Sequence, residues 1–354
     1  MSDYRSLLRE LAVPRLVGSP AHTRVREVLK RELSARGYVV LEHQFAVRRT
    51  AGPAALIPVG GALAAAALGT VLVAALWPAR AAVACWLLAA GLALGAALFV
   101  RRRGAPGAVG VNLIGVRPRA RITLWLAAHY DSKGQPLSMA LRIGAVVLAA
   151  VGVAGLLGIG AARLAGHPWS GTTELLLEAL ALIGGLLLLG NRVTDGSPGA
   201  VDNASGLATV LAILDRLPAG TPVGVLFPDA EEYGLVGARA LVRDRANLFD
   251  DAALLNFDGI DDRGSAICFV HRPGPAVTAV ATALGAVRRR FLPVVVDGLE
   301  FGRAARECAT IMRGNWRTAC VVHTPLDGAE RLTLEGSDAV AGGVARALAT
   351  LFPG

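Results

Sequence analysis

Two long apolar blocks constrain the fold of this chain more than any other feature. The first runs from about Ala54 to Val100 and breaks at Pro78-Ala79-Arg80; the second runs from about Leu141 to Gly190. The halves of the first block, Ala54–Trp77 and Ala81–Val100, are each roughly 20 residues, the length a helix needs to cross a ~30 Å hydrocarbon core. In the second block Ile143–Ala162 is an uninterrupted span. Its partner, Thr172–Gly190, carries Glu174 and Glu178 in its first turns. Carboxylates there must sit at the interface or face a partner helix. Each block crosses an even number of times, so the remaining segments lie on one side of the membrane and can form one domain. The expected organisation is two transmembrane hairpins, 51–103 and 141–191, inserted between segments 1–50, 104–140 and 192–354 of that domain.

Composition agrees with a membrane protein. The chain is 54% hydrophobic and only 18% charged, with mean hydropathy +0.51, more apolar than an ordinary soluble enzyme. The net charge of +9 comes from arginine, since Lys30 and Lys133 are the only lysines. No basic patch is interleaved with aromatic residues, which argues against a nucleic-acid partner. Residues 1–50 are polar and mixed, without the early apolar run of a signal peptide. Arg48, Arg49, Arg101, Arg102, Arg103, Arg142 and Arg192 flank the blocks on the domain side, against Arg80 and Arg163 at the far turns. The positive-inside rule then makes this a multi-pass cell-membrane protein, anchored in the lipid bilayer by about four helices, with a cytoplasmic domain. The sequence leaves homo-oligomerisation open. Cys85, Cys268, Cys308 and Cys320 lack CxxC spacing and read as buried free thiols.

The domain segments alternate helix and strand. His22–Arg36, Ser205–Leu217, Leu235–Arg243, Pro275–Arg289 and Gly336–Leu351 carry helical periodicity. Tyr38–Val47, Asn112–Val116, Ile122–Ala128, Val223–Phe227, Ala252–Phe257, Val294–Val296 and Thr310–Met312 are β-rich. The pattern predicts an α/β fold, a mixed, mostly parallel sheet flanked by helices.

Chemistry-bearing residues gather where those strands end, the position at which open α/β sheets build their sites. His129 follows an apolar strand and stands two residues before Asp131, which is placed to orient the imidazole. Asp202 lies in a Gly- and Ser-rich turn ahead of a helix. Glu231 and Glu232 follow a buried strand and precede Gly234, so one can bind a cation while the other faces bound water. Asp258 repeats the strand-end placement, and His323 begins a turn in which Asp327 can brace it. Each residue alone has an ordinary reading, as a strand-end histidine, a helix cap or a solvated acid. Together, two His, two Asp and two adjacent Glu would fill two tetrahedral zinc ions and leave one carboxylate as general base.

The order HxDS, GAxDNxSG, EExGLxGA, NxD and HTPxD, preceded by Leu16-Val17-Gly18-Ser19-Pro20, resembles the M28 family of zinc aminopeptidases. The resemblance covers nearly all of the domain segments and neither apolar block. It implies a zinc-aminopeptidase-like fold, two Zn2+ per chain and a peptide substrate. It also implies roles: Asp202 bridging both ions, His129 and Asp258 completing one, Glu232 and His323 completing the other, and Glu231 acting as general base. One departure is that the family's Ser-Asp-His or Ser-Asp-Tyr segment is replaced here by Gly298-Leu299-Glu300-Phe301. Side-chain preference therefore does not carry over, and Glu300 is either a surface residue or a receiver of a substrate ammonium. His129-Tyr130-Asp131-Ser132-Lys133 also resembles the glutaminyl-peptide cyclotransferases, which work with one zinc. A non-catalytic receptor or scaffold on the same fold would be expected to lose ligands, and a transporter to place polar residues within its spans.

Overall fold

A computed structural model of the chain describes residues 2–48, 106–118, 121–167, 171–218 and 220–352, with scattered positions between 60 and 95. The chain forms two compact units. One comprises Met1–Val47, Pro106–Gly134 and Thr194–Gly354, and the other Arg48–Ala105 and Gln135–Val193.

The first unit is built on an eight-stranded sheet. In chain order its strands are β1 (Val39–Arg48), β2 (Pro106–Val116), β3 (Leu124–Ala127), β4 (Val223–Phe227), β5 (Ala253–Ile260), β6 (Ser265–Arg272), β7 (Val287–Arg289) and β8 (Glu307–Gly314). Their spatial order is β1-β2-β4-β3-β5-β8-β6-β7. The central strands β4, β3, β5 and β8 run parallel. β2 joins β4, and β6 joins β8, antiparallel. β3 and β4 are buried at every position, as expected of central strands covered on both faces.

The sheet is flanked by helices α1 (Ser2–Leu11) and α2 (Pro20–Ala35), and by α5 (Ser205–Leu214), α6 (Val236–Asp244), α7 (Pro275–Ala283) and α8 (Glu335–Leu351). Ser19 caps α2 by accepting from the His22 amide, and Pro20 opens it. All ten residues of α5 are buried, which explains why it is apolar around its whole circumference. Ala238 and Leu241 of α6 join Trp125, Phe249, Leu254 and Phe301 in one continuous core.

Three expectations need correction. The helix begun at Pro275 stops at Ala283, and residues 287–289 form edge strand β7. Val294–Val296 is not a strand, whereas β6 is a full strand. The strand carrying Asp258 runs on to Ile260, so Asp258 lies inside it.

The second unit contains α3 (Met139–Leu164) and α4 (Gly171–Leu189). Met139–Ala162 and Gly171–Leu189 are long and apolar enough to cross a membrane, with mean hydropathy 2.4 and 1.8. The helices are antiparallel and pack through small residues. A Cβ on Gly152 would come within 2.5 Å of the Ala181 backbone, and one on Gly184 within 2.6 Å of Ala145 and Ala149. Such close approach is how apolar helices associate where lipid supplies no hydrophobic drive. Glu178 is buried in this unit, whereas Leu141, Val147, Val151, Leu175, Leu176, Ile183 and Leu186 are exposed. The expected first hairpin, Ala54–Trp77 with Ala81–Val100, lies almost wholly outside the described residues. The positions described there, such as Gly60, Ala64 and Gly91, are helical.

Candidate metal centre

The parallel strands deliver the first groups. His129 follows β3, Glu231 and Glu232 follow β4, and Asp258 lies near the end of β5. At Asp258 the β5–β8 register shifts between Phe257 and Ile260, a bulge of the kind that re-aims one side chain. Asp202 sits in the irregular turn before α5, and His323 follows the short helix Trp316–Ala319.

These residues converge into two buried triads, His129–Asp202–Asp258 and Asp202–Glu232–His323, whose ligand atoms lie within 4.8 Å of one another. Asp202 belongs to both. Its Oδ1 is 3.1 Å from His129 Nε2, and its Oδ2 is 3.0 Å from His323 Nε2. His129 Nε2 lies 3.9 Å from Asp258 Oδ1, and His323 Nε2 lies 3.1 Å from Glu232 Oε1. Glu231 belongs to neither triad and is buried beside them.

The turn that presents Asp202 needs its glycine. Gly199 has φ +62, and a Cβ there would fall 2.4 Å from the Asp202 carbonyl oxygen. The peptide bond Asp202–Asn203 is cis. Asn203 Nδ2 donates to the Phe257 carbonyl, which ties the turn to the residue before Asp258.

Asp131 is more than an orienter of imidazole. His129 Nδ1 lies 3.2 Å from the Asp131 carbonyl oxygen and 3.4 Å from its Oδ1. Its carboxylate also accepts from the amides of Glu231 (3.1 Å) and Glu232 (3.2 Å). Asp327 lies four residues after His323 and also reaches the Asp202 turn. Its carboxylate accepts from the amides of Val201 and Asp202. Glu300 is neither a surface residue nor free for an ammonium, because it is buried between Arg239 and Arg303. Cys268 and Cys308 are buried free thiols, but Cys320 is exposed; Cys85 lies outside the described residues.

Further residues that were given no role in the sequence contribute to the site. Lys133 Nζ is 2.6 Å from Glu232 Oε2 and buried with it, while Oε1 faces His323 Nε2 at 3.1 Å. Asp229 binds His22 Nε2 at 2.8 Å and accepts from the Val111 amide, which secures the end of β4. Asp297 is fully buried, and neither of its carboxylate oxygens has a hydrogen-bond partner. Its sequence signal is its place directly before Gly298, where the stretch that departs from the family motif begins.

The electrostatics call for cations. Burial raises Glu231 well above the usual carboxylate range, with Glu232, Asp258 and Asp297 adding to it against His129. Burial likewise lifts Asp258 to about 7. Against the same burial, His129 and His323 hold Asp202 well below its usual value, and His323 and Lys133 bring Glu232 to about 2. Burial disfavours a charged His129, but Glu231, Asp131, Asp202 and Asp258 outweigh it and raise its pKa. His323 Nε2 stands 3.1 Å from Glu232 Oε1 and 3.0 Å from Asp202 Oδ2. A buried set of His nitrogens and carboxylate oxygens converging in this way fits a shared divalent metal.

Residues 189–348 match the model of peptidase family M28. No curated protein matches the chain by sequence. Among solved structures, it is similar to a zinc aminopeptidase from Bacillus subtilis, at 12% identity and TM-score 0.60, over 99% of this chain and 95% of that one. An aminopeptidase from Aneurinibacillus sp. strain AM-1 gives 13% identity and TM-score 0.56, over 99% and 93%. Porphyromonas gingivalis glutaminyl cyclase gives 14% identity and TM-score 0.55, over 99% and 98%. The fold is therefore that of the zinc aminopeptidases and glutaminyl cyclases.

Proposed function

From the M28 peptidase match at residues 189–348, we propose that this chain is a membrane-anchored metallopeptidase with two zinc ions, hydrolysing N-terminal peptide bonds as an aminopeptidase. The observation that carries the reading is the pair of buried triads sharing Asp202, with Glu231 buried beside them and outside both. His129 and Asp258 would hold one ion, Glu232 and His323 the other, and Asp202 both. Bound there, zinc would supply positive charge to polarise the scissile carbonyl and to ease deprotonation of the attacking water.

The remaining steps belong to the chain. Glu231 takes a proton from the attacking water at its carboxylate and delivers it to the leaving amine. Such a base must both take the proton and return it, which a carboxylate within hydrogen-bond reach can do. Asp131 fixes the amides of both Glu231 and Glu232, so base and ligand keep their relative placement. Lys133 pairs with Glu232 Oε2, while Oε1 faces His323. The apolar helices α3 and α4 would hold the domain at a bilayer, with the domain on the cytoplasmic side.

The test joins metal content to kinetics on the detergent-purified chain. We expect about two zinc per chain and cleavage of aminoacyl anilides. Glu231→Gln should lower kcat by about 10²–10⁴-fold while zinc content holds. A near-normal rate in that variant would remove Glu231 from the base role. A glutaminyl cyclase activity is the second reading, favoured by Lys133 after His129-Tyr130-Asp131-Ser132 and by the cyclase fold match. One zinc per chain, with ammonia release from N-terminal glutaminyl peptides, would establish it instead.

A further inference from the structure

The turn carrying Asp202 is held on opposite sides by two buried, charged residues. On its carbonyl side stands Arg15, fully buried. Arg15 Nη1 donates to the Pro198 carbonyl (2.5 Å) and Nη2 to that of Gly199 (3.1 Å). Its Nε donates to the carbonyl of Tyr130 (2.7 Å), the residue after His129. A further bond from Nη1 reaches Val13. Main-chain carbonyls thus take four of the fork's five N–H groups, and the fork joins the His129 segment to the Asp202 turn. On the amide side stands Asp327, whose Oδ1 accepts from Val201 (2.8 Å) and Oδ2 from Asp202 (3.2 Å). Its own carbonyl accepts from the Ala200 amide. Asp327 lies four residues after His323, in the same turn, so it joins the His323 segment to the Asp202 turn.

We propose that Arg15 and Asp327 are paired positioning residues, each controlling the affinity of one ion: Arg15 the His129–Asp202–Asp258 ion, Asp327 the Asp202–Glu232–His323 ion. The inference rests on the reading of two metals in Asp202's shared site. Its physical basis is that Asp202 must offer one oxygen to each histidine at once, and neither histidine lies on its own segment. The separation between Asp202 and His129 is set through the Arg15 fork, and that between Asp202 and His323 through the Asp327 clamp. A lysine at 15 would keep the charge, but its single ammonium cannot span carbonyls on two segments as a planar fork does. An asparagine at 327 would keep one acceptor and turn a donor towards the second amide. Groups that orient ligands in this way commonly account for about 10–100-fold in metal affinity.

The test uses the full-length chain in detergent, stripped of metal and titrated with zinc against a competing chelator. Wild type should take up two ions. Arg15→Lys should keep one ion near wild-type affinity and weaken the other about 10–100-fold. Adding His129→Ala to that variant should cost only the already weakened ion, whereas adding His323→Ala should abolish the tightly held one. Asp327→Asn should give the mirror result, its tightly held ion depending on His129. A merely structural role predicts equal weakening of both ions, or lower thermal stability with unchanged binding, and either result overturns the proposal. So does a tightly held ion in Arg15→Lys that needs His129. If Arg15→Lys loses the far-ultraviolet circular dichroism of the metal-free chain, Asp327→Asn with the same two histidine variants decides alone. Fewer than two ions on wild type refutes the dinuclear reading itself, visible before any variant is made.

Discussion

Asp131→Asn tests how the site is held, as distinct from what reacts in it. Asp131 is fully buried, and its two carboxylate oxygens accept from the amides of Glu231 at 3.1 Å and Glu232 at 3.2 Å. The asparagine carboxamide is nearly isosteric, but only its oxygen accepts. Whichever way it is turned, its NH2 meets a backbone N–H. The change removes one hydrogen bond to a charged group, about 1.5–3 kcal/mol, and orphans a buried amide, about 1–3 kcal/mol. The expected loss is about 2.5–6 kcal/mol, which for a domain of this class lowers Tm on the order of 10 °C. The assay is thermal unfolding of the metal-free chain in detergent, followed by zinc titration of the folded variant. Metal affinity should fall as well, since His129 Nδ1 faces the same residue. A variant with wild-type Tm and zinc affinity would refute the clamp and leave Glu231 and Glu232 placed by their own turn.

Two further outcomes follow from groups away from the candidate metal centre. Asp215 accepts from Arg36 Nε at 2.7 Å and from the Tyr4 hydroxyl; against partial burial, Arg36 and then Tyr4 depress its pKa. A depressed carboxylate stabilises the fold above its unfolded pKa of about 3.9 and loses that contribution as pH falls through the lower folded value. Acid unfolding should therefore be less steep below pH ~4 in Asp215→Asn, and identical slopes would exclude Asp215 from acid sensitivity. Cys320 is exposed and free, so a membrane-impermeant maleimide should label it only after cells are permeabilised. Labelling in intact cells would put the domain on the outer side.

The parallel centre of the sheet was legible because its strands are short apolar runs with unambiguous stops. Val223–Phe227 ends at Pro228 and was placed to the residue. The misreadings sit at the sheet's edge, where pattern is weakest. The helix beginning at Pro275 was carried through Gly285, yet that glycine has φ +56 and the helix has ended at Ala283. A glycine just past a periodic run is a stop signal. Val294–Val296 has strand composition but follows Pro293, which cannot donate to a ladder, and β7 already occupies the edge beyond β6. β6 itself was readable in Ala266-Ile267-Cys268-Phe269-Val270, a β-rich run that only its position between Asp258 and the Pro275 helix obscured.

In the site, legibility divides along chemical lines. His129, Asp202, Glu232, Asp258 and His323 could be named because few side chains ligate a divalent cation, and five such segments in order are hard to produce otherwise. Arg15 escaped because its partners are main-chain groups, the carbonyls of residues 13, 130, 198 and 199. Every residue offers those groups, so no spacing marks them, and only the fold decides which ones meet. One local signal did exist for Arg15, a single charge between Leu11-Ala12-Val13-Pro14 and Leu16-Val17. An arginine in an apolar run is either snorkelling or fully satisfied inside. Its neighbours Leu11 and Val17 are buried, which leaves the second. A guanidinium held there by carbonyls, beside Asp131, Asp202, Asp327 and Glu232, is also a fixed positive charge among the site's carboxylates. It offsets carboxylate repulsion whether or not metal is bound, which gives the ligand frame a reason to persist in the metal-free chain.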